Sequence, residues 1–382
     1  MVCAHRQNRT SSRSHEPCWN PHQTPRRGVE ISDSPSVPVR LTTRVIRFHR
    51  TGGPEVLQID EIELPAPRAN EVVLLVKALA LCRVDLLWRA GNYLEDPVLP
   101  AGIGYHAAGV VHGVGSKVKS VQPGDRVSTF PACSLVEYGA HGQTIIYPER
   151  ALLVYPPSLS PEEAASMNTE LFLAYFTFVE LAGLQRGQYV VVTAAAASTG
   201  IAALEIANVL GATSIALTRS EANRGELVAA GADHIIIVGE EDVRDTIIDI
   251  TDGLGADLIY DGVGGPGLEE LAWATKRLGR IVTYGALGAE AGDTRLPLDA
   301  CLLRGVKVHA GLTIFDYTGN RRLRLLPKPA AIKRAKAFIA NGLAEGNFRP
   351  NIGQVFNGLE EYRLAHEYMA ANHRDGKVVV SL

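Results

Sequence analysis

The segment with the clearest chemical potential is Ala195-Ala196-Ala197-Ser198-Thr199-Gly200, a run of small residues between an apolar stretch and a segment of helical spacing. Backbone amides at a helix start hold a pyrophosphate when nearby side chains are small enough for the ligand to reach the backbone. Against the spacing G-x-G-x-x-G, Ala195 and Ala197 replace the first two glycines, and Gly200 remains to let the helix lie close on its strand. About twenty residues on, where an acidic residue would accept the ribose hydroxyls of NAD, the chain has Thr218-Arg219-Ser220, with Arg224 in reach. A cation between hydroxyls predicts a 2′-phosphate and therefore NADPH, with NADH as the alternative; the competing expectation is that Glu221 pairs with Arg219 and leaves it a surface charge. Cys3, Cys18, Cys82, Cys133 and Cys301 are too scattered for a zinc knuckle or a disulfide scaffold, which points to a reducing compartment.

The elements that must position these residues fall into two rhythms. Strands are expected over 44–48, 57–63, 71–80, 109–114, 126–130 and 143–146, divided by Gly and Pro turns, with few helices among them. After Pro156-Pro157, strands at 189–193, 214–218, 234–238, 258–261 and 280–285 alternate with helices at 200–210, 224–230, 242–251 and 267–275. That alternation requires a parallel sheet covered by helices on both faces. Two helices, 332–341 and 359–371, lead to a last strand at 377–381. With 382 residues, 46% of them hydrophobic and 21% charged, the chain is long and apolar enough for two folded domains. Its net charge of −3 excludes dedicated nucleic-acid binding, and no run of about 18 apolar residues exists to span a membrane. Residues 1–40 read as a disordered extension rich in Arg, Ser and Pro. An organelle transit peptide is the alternative, but Pro17, Pro21 and Pro25 would break its helix.

Across 45–382 the chain resembles the medium-chain dehydrogenase/reductase superfamily, in its zinc-independent quinone oxidoreductase-like branch. The likeness rests on GYHAAGVVHGVG (104–115), VQPGDRV (121–127), the segment 193–200, AAGAD (229–233), DGVGG (261–265) and GKVV (376–379). The resemblance implies an α/β protein with a GroES-like β-rich catalytic domain, 41–160 and 311–382, and a Rossmann doubly wound parallel-sheet domain, 161–310. It implies a cytoplasmic homodimer joined through the strand near 307–310, a nicotinamide cofactor in the cleft, and a small-molecule substrate.

In the zinc enzymes of this superfamily the ligands match Cys82, Tyr105 and Thr169, and a thiol, a phenol and a hydroxyl make a poor zinc site. The expectation is therefore no zinc, and reduction of a quinone or α,β-unsaturated carbonyl by hydride transfer, in which a hydroxyl takes the place of a Lewis acid. The resemblance puts Tyr93 beside the nicotinamide as first donor, Tyr105 second, and Cys82 in the same wall without a nucleophilic role. It assigns cofactor contacts to Ala197, Ser198, Thr199, Gly200, Thr218, Arg219, Ser220, Arg224, Asp261, Gly262, Val263, Gly285, Ala286, Leu287 and Lys377, the last reaching the phosphates. Leu312, Thr313 and Ile314 would line the nicotinamide's other edge, and Asn223 stands where the family often has Lys. A zinc alcohol dehydrogenase and a non-catalytic cofactor-binding protein are the alternatives.

Overall fold

The strand Glu71–Leu81, EVVLLVKALAL, is buried along almost its whole length apart from Lys77, as the middle of a sheet must be. A computed structural model describes the protein at residues 41–286, 295–371 and 376–382. The expected tail 1–40, with Cys3 and Cys18, and the expected cofactor contact Leu287 lie outside the described residues. Glu71–Leu81 is the hub of a mainly antiparallel sheet. Its order is Ile352–Asn357, Lys377–Ser381, Glu71–Leu81, His106–Val114, Arg126–Thr129, Leu152–Val154, with Thr144–Pro148 also paired to Glu71–Leu81. Where Glu71–Leu81 and His106–Val114 cross, a Cβ on Gly109 would stand 2.0 Å from the Leu75 carbonyl oxygen, so only glycine lets the two bulged strands pass. A smaller sheet of Leu57–Glu63, Thr42–Phe48 and Ala101–Gly102 completes this half.

The other half is a parallel sheet in the order His234–Ile237, Thr213–Thr218, Tyr189–Val192, Ala256–Asp261, Thr275–Thr283, Lys307–His309. Counted along the chain this is 3-2-1-4-5-6, the doubly wound order in which ligands bind where the winding reverses, between the first and fourth strands. Valines 190 to 192 are fully buried at that centre. The helix Asn168–Tyr175 and the π-helical turn Phe176–Ala182 join the halves. Phe172 stacks on Phe130 at 4.1 Å, and Phe176 lies parallel to Tyr317 at 4.5 Å, so offset aromatic pairs fix this connection.

Several elements were not legible in the sequence. The helix Arg83–Ala90 is short and carries buried Asp85 and Arg89, which mask its apolar face. The helices Pro161–Ala165, Asn168–Tyr175 and Leu298–Arg304 were also missed. The edge strand Ile352–Asn357 alternates intermediate with exposed residues and therefore shows no core-facing pattern. The strand expected at 280–285 begins instead at Thr275, through a backbone kink at Leu278 with φ +64°. Among the described residues no helix is long and apolar enough to cross a membrane.

Candidate functional site

At the reversal point, the strand Tyr189–Val192 runs into the turn 193–197 and the helix Ser198–Leu210. Ala194 turns the chain at φ +47°. Ala197, the N-cap, supplies no capping side chain, which leaves first-turn amides to an outside acceptor. A Cβ on Gly200 would lie 2.4 Å from the Ala195 carbonyl oxygen, so the helix can start this close to the strand only with glycine there. Small residues, uncapped amides and a 13-residue helix fit a dinucleotide pyrophosphate at Ala197, Ser198, Thr199 and Gly200.

The fourth strand brings Asp261 to the same end of the sheet, but not as a surface contact. Asp261 is fully buried. It accepts from Thr193 Oγ1 at 2.7 Å and from the amides of Val263 and Gly264 at 3.0 and 2.9 Å, while the Gly262 amide donates to Thr193 Oγ1 at 2.9 Å. Its carboxylate shapes the turn that presents Gly262 and Val263 at this end of the sheet. Gly285 passes close beside that turn, since a Cβ there would meet the Gly262 oxygen at 2.7 Å, and Ala286 is exposed at the rim. Tyr284 stacks on Tyr260 at 4.1 Å beneath them, an aromatic floor that the sequence did not announce.

At the end of Thr213–Thr218, the Thr218 hydroxyl accepts from Asn223 Nδ2 at 2.8 Å, and Ser220 caps the turn through the Ala222 amide at 3.3 Å. Asn223 therefore closes the turn. Arg219 is exposed with no ion-pair partner among the described residues, whereas Arg224 is held by both oxygens of Glu221 at 2.5 and 2.9 Å. The acid competes for Arg224, not for Arg219, because three residues separate the pair along one helical turn. This leaves Arg219 as the uncommitted cation and weakens Arg224 as a phosphate ligand.

The opposite wall is built by the helix Arg83–Ala90. Cys82 is its N-cap, and its amide donates to Asp85 Oδ2 at 2.7 Å. Gly91, at φ +76°, ends the helix and turns the chain so that Tyr93 packs edge-on against Trp88 at 6.4 Å. Burial raises the Tyr93 hydroxyl above the ordinary phenol range, and the neighbouring Cys82 adds to the rise. Tyr105 is buried against Phe315, its hydroxyl has no hydrogen-bond partner, and burial, then the neighbouring Tyr93, raises it well above the ordinary phenol range. The two phenols thus face one another. Both stay protonated at neutral pH. Burial, and then Asp85, likewise pushes the Cys82 thiol well up, which keeps it from serving as a thiolate.

Lys377 is buried with its ammonium in an ion pair with Glu170, on the helix Asn168–Tyr175. Burial and then the charge of Lys377 hold His106 well below the usual imidazole range, and its Nε2 lies against Thr169 Oγ1. Of the matched ligand positions, Tyr105 therefore turns to Tyr93 and Thr169 to His106. Among the described residues no three His, Cys, Asp or Glu side chains gather as a metal site.

A doubly wound sheet with a pyrophosphate turn at its reversal point, faced by a wall of protonated tyrosines, defines a dinucleotide-dependent oxidoreductase. Residues 68–157 match the family described as "Alcohol dehydrogenase GroES-like domain" and residues 230–380 that described as "Zinc-binding dehydrogenase". The chain is 33% identical to quinone oxidoreductase 1 of Escherichia coli over 66% of its length and 76% of that protein. It is 30% identical to a quinone oxidoreductase-like protein 2 homolog of Nematostella vectensis over 90% of both. The crystal structure of E. coli quinone oxidoreductase complexed with NADPH superposes with a TM-score of 0.74 at 26% identity, covering 90% of this chain and all of that one. The chain belongs to the medium-chain dehydrogenase/reductase superfamily, in its quinone oxidoreductase-like branch, and is an NAD(P)H-dependent oxidoreductase.

A small cavity beside the pyrophosphate turn is lined by Glu170, Ser198, Glu205, Arg349 and Asn351. Glu205 is buried there, accepts the Arg349 amide at 2.9 Å, and is raised by burial to about 7. The folded protein thus holds a proton that the unfolded chain releases near 4.5, so this group costs nothing below that pH, and its cost grows as pH rises to about 7. Glu205→Gln keeps the acceptor and removes the titration. Its melting temperature should match wild type near pH 4.5 and exceed it by a margin that widens up to pH 7 and then levels, as thermal denaturation at stepped pH would record.

Proposed function

We propose that the protein is an NADPH-dependent, zinc-independent reductase of quinones or α,β-unsaturated carbonyls. The observation that carries this reading is the facing pair Tyr93 and Tyr105, two protonated hydroxyls in the wall where metal ligands would otherwise be needed. A reduced nicotinamide, when bound, would supply a hydride for an electrophilic carbon of the acceptor, whose π electrons would move onto the carbonyl oxygen. Tyr93 donates a hydrogen bond to that oxygen as charge builds there, and Tyr105, whose hydroxyl has no partner, is the second donor. The proton that completes reduction comes from solvent, since the raised Tyr93 retains its own. Ser198, Thr199 and Gly200 offer the pyrophosphate their amides, and Arg219 offers the 2′-phosphate its charge.

Part of the same reading is a cytoplasmic homodimer with domain limits at 41–160 plus 311–382 and 161–310. Cys82, Cys133 and Cys301 are free thiols, as a reducing compartment permits. Among the described residues the edge strand Lys307–His309 is open on one side, with Leu298, Leu302 and Leu303 exposed just before it, and edge pairing would cover them. Replacing Leu302 and Leu303 together by Asp should convert the dimer to monomer in sedimentation velocity, and a wild-type monomer would overturn the assembly.

Arg219→Asp should reverse the preference for NADPH over NADH, because it removes a charge-assisted contact worth about 1.5–3 kcal/mol and adds repulsion. Titration calorimetry with both nucleotides measures the ratio, and an unchanged ratio would sink the NADP assignment. Tyr93→Phe keeps the ring and deletes one hydrogen bond, so kcat should fall by about ten- to a thousandfold at nearly constant nucleotide affinity. Tyr105→Phe should lose less. Exhaustive chelation should leave wild-type turnover intact; if chelation abolishes it, the zinc-independent mechanism is wrong.

A further inference from the structure

Two residues beyond Tyr93 the chain buries a second acid. Glu95 is 6% exposed. Its Oε2 accepts from Ser134 Oγ at 2.5 Å, and its Oε1 accepts from Asn320 Nδ2. Both donors are locked in that sense by their own loops. Ser134 Oγ accepts the Val136 amide at 3.1 Å, so its proton is free to point at Glu95. Asn320 Oδ1 accepts the amides of Arg322 and Leu323 at 3.0 and 3.2 Å, which fixes the NH2 end towards the carboxyl. Both of its oxygens thus face donors, the arrangement that suits a carboxylate. It has no ion pair with Lys, Arg or His among the described residues.

This acid sits beside the Tyr93 and Tyr105 phenols. Ser134 and Asn320 belong to the two loops, 128–143 and 315–329, that flank the Tyr93 segment. Phe315, from the second of these loops, packs on Tyr105 at 5.9 Å. Both Tyr93 and Tyr105 feel the Glu95 charge, and the other charged neighbour acting on Tyr93 is Asp85. The nearby cation, Lys377, is already neutralised by Glu170.

Resting on the reductase reading, we propose that Glu95 is a specificity-determining residue that makes the pocket select neutral or cationic acceptors and exclude those bringing a carboxylate, sulfonate or phosphate to the Tyr93 hydroxyl. Its field also opposes charge at the reacting oxygen, but that charge is partial, transient and hydrogen-bonded, whereas an acidic substrate carries a full charge on entry.

The test is NADPH oxidation with three vinyl ketones identical except for the group at the end of a short methylene chain: a carboxylate, its methyl ester or a trimethylammonium. The remote group leaves intrinsic reactivity equal. Wild-type kcat/KM should be at least about tenfold lower for the carboxylate than for the ester, with the ammonium equal to or above the ester. A flat or inverted order with robust turnover would overturn charge selection and leave the reductase reading standing; no turnover with any of the three would overturn both. Glu95→Gln should bring carboxylate and ester within about threefold of each other, and an unchanged ratio in the folded variant would refute the assignment. Ser134→Ala removes a loop contact and keeps the charge, so its ratio should stay wild type. If Glu95→Gln does not fold, the order within the wild-type series still decides the sign of the field.

Discussion

A lysine and a glutamate with almost no access to water hold the cleft in register. Lys377 leaves the last strand of the antiparallel sheet, and Glu170 lies on the helix that packs against Ser198–Leu210. The pair therefore ties the β-rich half to the helix that presents the pyrophosphate turn. Burying two opposite charges is costly unless both keep good partners, and Glu170 has one oxygen without any. Such a pair is weak evidence for stability and stronger evidence for position, since it permits one arrangement of strand and helix and penalises others. The Lys377 amide also donates to the Asn351 carbonyl, and Asn351 Nδ2 reaches Glu226 on the helix after Arg219. The two ends of the dinucleotide crevice are thus referred to one buried point.

The chemistry of the opposite wall follows from desolvation. Burial raises phenols, thiols and carboxyls and lowers imidazoles: here Tyr93, Tyr105 and Cys82 keep their protons, Asp85 is raised to about 6, and His106 and His141 stay neutral. A neutral His141 can donate from Nε2 to the His106 carbonyl at 3.1 Å while accepting the Tyr362 hydroxyl at Nδ1. Its ring fills the space that a Cβ on Gly104 would need, so the Gly104-Tyr105-His106 segment rests on it. Among the described residues no three His, Cys, Asp or Glu side chains gather as a metal site.

Much of this was legible in the residues. The alternation of apolar runs with helical segments after residue 188 announced a parallel sheet, and the small residues from 195 to 200 marked the turn at its reversal point, because period, capping and side-chain size act over a few neighbours. Arg219 at a strand end was readable for the same reason, and even the pairing of Glu221 with Arg224 is local, three residues along one turn. What only the tertiary structure decided are contacts between residues far apart in the chain. Glu95 finds Asn320 across 225 positions, and Lys377 finds Glu170 across 207. Asp261 turned out to be buried by Thr193, 68 residues away. No periodicity encodes such partners: a lone acid in a loop reads as solvated until packing removes the water and forces its charge onto particular donors.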